Sequence, residues 1–223
     1  MRRRVTTNDF ARMVAAAASR ILQKRADLSS LDSVAGDGDH GTTMARAVEQ
    51  LEQATSLPQS KDFKTIFEEA GWAVLRIDGG ASSVLFGSFF LGMADAEIQG
   101  ESLDCREFAL ALECGLKAVC RQTEARPGDK TIMDALMPAV EAFRGAADDG
   151  QTIGHAFADA ARAARRGAES TKDLVARFGR GKLIGRKTLG FNDPGATSVA
   201  LLLEGFCGGL AESQEEENHA RHG

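Results

Sequence analysis

The chain has 223 residues, 43% of them hydrophobic, and a formal net charge of -5, enough for one substantial core or two small ones. The acidic balance excludes a general electrostatic nucleic-acid binder, which would carry a basic surplus. No run of about 18 apolar residues occurs, so no membrane span is expected.

The basic start, Met1-Arg2-Arg3-Arg4, runs into polar Thr6-Thr7-Asn8-Asp9 rather than the long charge-free stretch of a secretory signal. Asn8 to Arg25 places Phe10, Met13, Val14, Ala17, Ile21 and Leu22 at helical spacing, and Asp62 to Ile77 repeats the pattern. Further helices are expected over 42–55, 82–98, 104–122, 131–147, 151–168 and 196–211. Bounded β-branched runs are lacking, so no sheet is expected. The fold class is therefore all-α, with about eight amphipathic helices in a single domain, 1–211. The Glu-rich end, 212–223, with His219 and His222, reads as a disordered, solvated tail. Cys105, Cys114, Cys120 and Cys207 include no CxxC pair and read as reduced thiols of a cytoplasmic protein.

The connections differ in character. Ser56-Leu57-Pro58 and Asp148-Asp149-Gly150 are ordinary short turns. Segments 36–41, 78–83, 127–130 and 179–195 are rich in Gly and Asp, and the last is long enough to serve as a lid.

The chemistry gathers in these segments. Leu31 to Thr43 carries Asp32, Asp37 and Asp39, with glycines that let carboxylates at i and i+2 converge. Carboxylate oxygens suit Mg²⁺ or Ca²⁺. A helix is expected to open near Gly41, and its free N–H groups would attract phosphate. The plain alternative, an Asp-rich helix cap, needs one aspartate rather than three. Asp78-Gly79-Gly80-Ala81-Ser82-Ser83 reads alone as a helix–helix turn. In Arg126-Pro127-Gly128-Asp129-Lys130-Thr131, Asp129 or Thr131 would cap the next helix and Lys130 could face phosphate. Arg180 stands between glycines in Phe178-Gly179-Arg180-Gly181-Lys182, free to swing onto a phosphate. Gly190 to Ser198 is a further turn and helix start. His155 reads as a helix-surface residue, and Trp72 and the phenylalanines as core.

Together these blocks resemble the nucleotide-binding L subunits of the dihydroxyacetone kinases: Leu-Asp-x-x-x-Gly-Asp-Gly-Asp-His-Gly-Thr at 31–42, Gly-Gly-Ala-Ser at 79–82, Pro-Gly-Asp-Lys-Thr at 127–131, and Gly-x-Gly-Lys followed by Leu-Gly and Asp-Pro-Gly-Ala-Thr-Ser across 179–198. They come in family order and span nearly the whole chain. The resemblance implies a barrel of eight antiparallel helices with the nucleotide, ADP or ATP, at one end. Two Mg²⁺ ions would rest on Asp32, Asp37 and Asp39. His40, Gly41, Thr42 and Thr43 would meet the phosphates. Ala81, Ser82, Thr123, Ile132, Arg180, Asp193, Pro194 and Gly195 would complete the site, with Arg180 catalytic. The sugar would be held on a separate K subunit, covalently on a histidine there. A phosphocarrier protein and a second copy of the chain are further candidate partners. The acceptor would be dihydroxyacetone or a related ketose such as erythrulose. The alternatives are a non-catalytic, nucleotide-loaded regulator and a nucleotide domain of the fatty-acid-kinase type. The chain departs from the family pattern at Ser83-Val84 (usually Gly-Pro), Thr123 (Gly), Ile132 (Met) and Phe191-Asn192 (His-Gln); the metal ligands are untouched.

Overall fold

The computed structural model describes residues 4–56 and 62–222. Leu57 and Pro58 of the expected connector lie outside the described residues, as do the side chains of His219 and His222. The elements are β1 (Arg4–Thr6), α1 (Thr7–Gln23), α2 (Arg25–Asp32), α3 (His40–Ser56), α4 (Phe63–Leu75), α5 (Gly80–Ala94), β2 (Ser102–Asp104), α6 (Cys105–Gln122), α7 (Met133–Asp148), α8 (Ile153–Ser170), α9 (Gly181–Ile184) and α10 (Pro194–His222).

Eight of the helices close a ring. Each packs on two neighbours, in the order α1, α3, α4, α5, α6, α7, α8, α10 and back to α1. The first residues of α3, α5 and α10 and the N-cap of α7, Ile132, border one cleft, which the C-terminal end of α6 also reaches. Alternate helices therefore run in opposite directions, and the barrel has an open end at that cleft. This is the expected all-α barrel. α2 precedes α3 outside the ring, packed on α3 and α10.

The opposite end is plugged with phenylalanine. Phe10, Phe63, Phe108 and Phe157 lie in the first turns of α1, α4, α6 and α8, the helices that run toward the cleft, and Phe143 lies late in α7. With Phe67 and Phe206 they are fully buried. Their rings meet mostly edge to face, as in Phe143–Phe157 (centroids 4.9 Å apart, 79°) and Phe10–Phe67 (5.4 Å, 88°). Such pairs add about 0.5–1.5 kcal/mol each beyond area burial. The four helices that start at this end are each capped by a side chain, from Thr6, Asp62, Asp104 and Thr152.

Three sequence expectations are corrected. First, a small antiparallel sheet exists: β1 pairs with β2 in the register Val5↔Leu103, with both central residues fully buried. Three-residue strands are too short to show a period. Second, the helix expected over Asn8–Arg25 breaks at Lys24, where α2 begins. Third, Trp72 is 53% exposed on α4 rather than part of the core. α10 remains helical to His222, through the Glu-rich end expected to be a tail. One stretch, Pro194–Glu212, is long and apolar enough to cross a bilayer by composition alone, yet it is 61% buried. It packs between α1 and α8 as a ring helix, and its Glu204 is paired with Arg165.

Candidate functional site

The three aspartates of the first Gly-rich block converge. Asp32 ends α2, and the chain turns back through Gly36, Asp37, Gly38 and Asp39 to open α3 at His40. Asp32 Oδ2 accepts hydrogen bonds from the backbone N–H groups of Gly38 (2.9 Å), Asp39 (3.1 Å) and His40 (3.4 Å). A Cβ at Gly36 would push the Asp32 carboxylate from its place. One oxygen from each of Asp32, Asp37 and Asp39 lies within 4.8 Å of the others.

This crowding shows in the acidities. Arg180 donates to Asp37, Nη1 to Oδ1 at 2.5 Å, and holds that carboxyl below its usual range. Burial, and then the neighbouring Asp37, push the Asp39 carboxyl up. Three hard oxygen donors, crowded together and partly compensated by a single guanidinium, fit a divalent cation of the Mg²⁺ or Ca²⁺ kind.

His40 stands at the start of α3 between two other ring helices. Its Nε2 is 2.8 Å from Ser198 Oγ on α10 and its Nδ1 3.1 Å from Ser82 Oγ on α5. Burial lowers its pKa, so the imidazole is neutral near pH 7. The site thus ties the starts of α3, α5 and α10 into one floor.

Above that floor lies a cleft of about 540 Å³, within the range of small-molecule sites. Leu31, Val34, Val84, Leu85, Ile132 and Phe178 give it an apolar side, while Asp32, Asp39, His40, Ser82 and Arg180 give it a polar one. Helix N-termini carry about half a positive charge each, and four of them border this cleft.

Of the residues expected at a nucleotide, His40, Ala81, Ser82, Thr123, Ile132, Arg180, Asp193, Pro194 and Gly195 line the cleft. Gly41, Thr42 and Thr43, in the first turn of α3, are not among its lining residues. Gly41 abuts the α2 backbone at Arg25, and Thr42 Oγ1 accepts from Arg25 Nη2 at 3.2 Å. Asp32 and Asp39 line the cleft; Asp37 is held beside it by Arg180.

The third block behaves differently from its expectation. Asp129 and Thr131 do not occupy the N-cap position of α7, which is Ile132 with no side-chain cap, although Thr131 Oγ1 takes the Met133 N–H at 3.2 Å. Asp134, unnoticed in sequence, organises the turn by accepting from Gly128 N–H (2.6 Å) and Thr131 N–H (2.7 Å). Its place three residues past Thr131 was the available signal. The Lys130 ammonium is taken up by backbone carbonyls of the 171–191 segment. Phe178 and Phe191 were read as core but line the cleft. His155 is exposed beside Thr152, as expected.

Residues 34–208 match the DAK2 domain family. The chain is 34% identical, over 177 residues, to the ADP-binding subunit DhaL of the PEP-dependent dihydroxyacetone kinase of Escherichia coli, covering 79% of this chain and 84% of that protein. It is 36% identical over 181 residues to the L-erythrulose 1-kinase of Mycolicibacterium smegmatis, covering 80% of this chain and 31% of that longer one. The crystal structure of the dihydroxyacetone kinase of C. freundii in complex with AMP-PNP and Mg²⁺ superposes with a TM-score of 0.68 at 26% identity. That match covers 89% of this chain, which spans 33% of that kinase. With the match running through most of the barrel and over most of the length of an ADP-binding subunit, the chain belongs to the DAK2 domain family, alongside the L subunits of the dihydroxyacetone kinases.

Proposed function

We propose that the chain is the nucleotide-binding, phosphoryl-transferring subunit of a kinase for dihydroxyacetone or a related ketose. The observation that carries this reading is the convergence of Asp32, Asp37 and Asp39 beside a cleft bordered by four helix N-termini, with Arg180 poised over the carboxylates. Relatives named as ADP-binding subunits, and a similar kinase holding AMP-PNP and Mg²⁺, support the nucleotide and the metal.

Phosphoryl transfer depends on positioning and charge stabilisation more than on a nucleophile from the protein. Asp32, Asp37 and Asp39 would hold two Mg²⁺ ions, whose chemistry is to neutralise the phosphate oxygens. His40, with both ring nitrogens engaged by Ser82 and Ser198, would fix the starts of α5 and α10 around the phosphates. The first turns of α5 and α10, at Ala81, Ser82 and Gly195, would present backbone N–H groups. The apolar side of the cleft would take the adenine and exclude water. Arg180 would leave Asp37 for the transferring group once the carboxylates are neutralised.

The acceptor sugar would be held on a K subunit docked over the open end. Relatives bear both dihydroxyacetone and erythrulose kinase names, so the reading extends to small ketoses. The cell compartment consistent with this role is the cytoplasm.

Calorimetry of ADP binding with and without Mg²⁺ tests the site. Wild type should bind only with the metal, and Asp37→Ala should not bind. Unchanged affinity in Asp37→Ala would overturn the metal assignment. Denaturing the purified protein and identifying the released nucleotide separates the two modes of supply. Retained ADP supports recharging in place by a phosphocarrier; an empty site supports exchange of ATP.

A further inference from the structure

We propose that Lys130 is a positioning residue whose ammonium clasps the base of the 171–193 loop and so sets where Arg180 and Asp193 stand. Nζ donates to the carbonyls of Thr171 (2.7 Å), Thr188 (2.8 Å) and Phe191 (2.5 Å). An ammonium has three protons, and all three are spent on one loop. The acceptors come from both of its limbs, so a single side chain holds the limbs together. The lysine is 6% exposed.

Two further features point the same way. Lys130 has φ +60°, a left-handed conformation in which glycine would be at ease and a long side chain is not. A lysine is tolerated there for what its ammonium does. The rest of the loop base closes around the same point. Gly190 N–H donates to Lys172 O (2.8 Å), Ala176 N–H to Thr188 Oγ1 (3.1 Å) and Arg177 N–H to Asp129 O (3.1 Å). Beyond these ties the tip opens out. Gly179 and Gly185 have positive φ, and Leu183 is 87% exposed. A fixed base with a free tip lets Arg180 swing while keeping its pivot in register with the carboxylates. Asp193 follows on the same limb, its N–H donated to Thr171 Oγ1 at 2.8 Å.

The clasp stands on geometry alone, whereas its effect on transfer rests on the kinase reading above. The two are tested separately with Lys130→Gly, which removes the ammonium and relieves the backbone, and Lys130→Met, which keeps the aliphatic stem. Limited trypsin digestion of the full chain reads the clasp through cleavage at Arg177, Arg180, Lys182, Arg186 and Lys187. Loss of three charge-assisted bonds should accelerate cleavage in both variants by about tenfold or more. Turnover of dihydroxyacetone with Mg–ATP and the K subunit reads the positioning role. kcat should fall about a hundredfold, with the KM for ATP changed far less. Cleavage at the wild-type rate in a folded variant would overturn the clasp. Faster cleavage with unchanged kcat would overturn the positioning role. Unfolding of both variants would also overturn it, because a clasp on one loop leaves the helix ring intact. A wild-type chain inactive beside the K subunit would sink the kinase reading, with trypsin still deciding the clasp.

Discussion

Asp32 and Asp39 are both assigned to the metal, yet removing them should move the metal-free protein in opposite directions. Asp32 Oδ2 accepts two backbone N–H groups at 2.9 and 3.1 Å and a longer third. Bonds to a charged acceptor contribute about 1.5–3 kcal/mol each, so Asp32→Ala should cost about 2–4 kcal/mol once partial exposure is allowed for. Asp39 lies within 4.8 Å of the Asp32 and Asp37 carboxylates and its acidity is weakened by burial and by Asp37. Two like charges at that separation repel by about 1 kcal/mol in a water-like dielectric, less in salt. Asp39→Ala should therefore leave the metal-free protein unchanged or stabilise it by up to about 1 kcal/mol. Both variants should lose Mg²⁺-dependent ADP binding. Urea unfolding in EDTA measures the first effect and calorimetry the second. The reasoning fails if Asp39→Ala destabilises the metal-free protein as much as Asp32→Ala. It fails equally if either variant keeps the Mg²⁺ dependence.

Arg180→Ala should keep nucleotide affinity but lower transfer to the sugar by about a thousandfold, measured in a coupled assay with the K subunit; full activity would remove Arg180 from the mechanism. Gly205→Ala should lower the melting temperature, because a Cβ there runs into the Ala17 backbone of α1, with a cost of about 1–3 kcal/mol. Ser83 Oγ is a buried side-chain oxygen with no partner among the described residues, so Ser83→Ala should be neutral or raise the melting temperature slightly. Asp193 borders the cleft on one side but is densely enclosed on the others, and burial pushes its carboxyl from 3.8 to about 7. A raised acid pKa means the folded state holds a proton that the unfolded chain releases. Its contribution is full below about pH 3.8 and lost as pH rises through about 7. Asp193→Asn should flatten the fall in melting temperature between about pH 4 and pH 7.

Most ring helices were legible because they bury one periodic face, α5 and α10 because they are apolar over a long stretch, and the charged and Gly-rich segments between them because nothing in a helix needs that composition. Asp32, Asp37 and Asp39 declared themselves by spacing: i to i+2 across a glycine leaves few places for two carboxylates to go. What escaped was whatever depends on distant partners. Val5 and Leu103 form their ladder from segments about a hundred residues apart, with three residues each to signal it. Trp72 has the composition of a core residue on a helix whose other face does the packing. Lys130 has the charge of a phosphate ligand, but the groups it binds are carbonyls, invisible in any side-chain alphabet. Gly41, Thr42 and Thr43 sit in the block expected to meet the phosphates; Gly41 and Thr42 face α2 and Thr43 meets Gly79 at the start of α5, while His40 lines the cleft.

One helix start at the open end, that of α5, differs from the four at the plugged end. At the plugged end, Thr6, Asp62, Asp104 and Thr152 each take N–H groups of the first turn, and the space inside is filled by phenylalanine. At the open end α5 starts at Gly79 with no side-chain cap, whereas Asp193 Oδ2 takes the Ala196 N–H of α10 and Thr131 Oγ1 the Met133 N–H of α7. A start left uncapped costs about 1 kcal/mol, and at α5 that cost falls where a bound anion can offset it. The carboxylates beside these starts would repel the same anion unless a cation joined them. Positive helix ends beside negative side chains suit a ligand that brings both charges, as the metal-bound polyphosphate proposed above would.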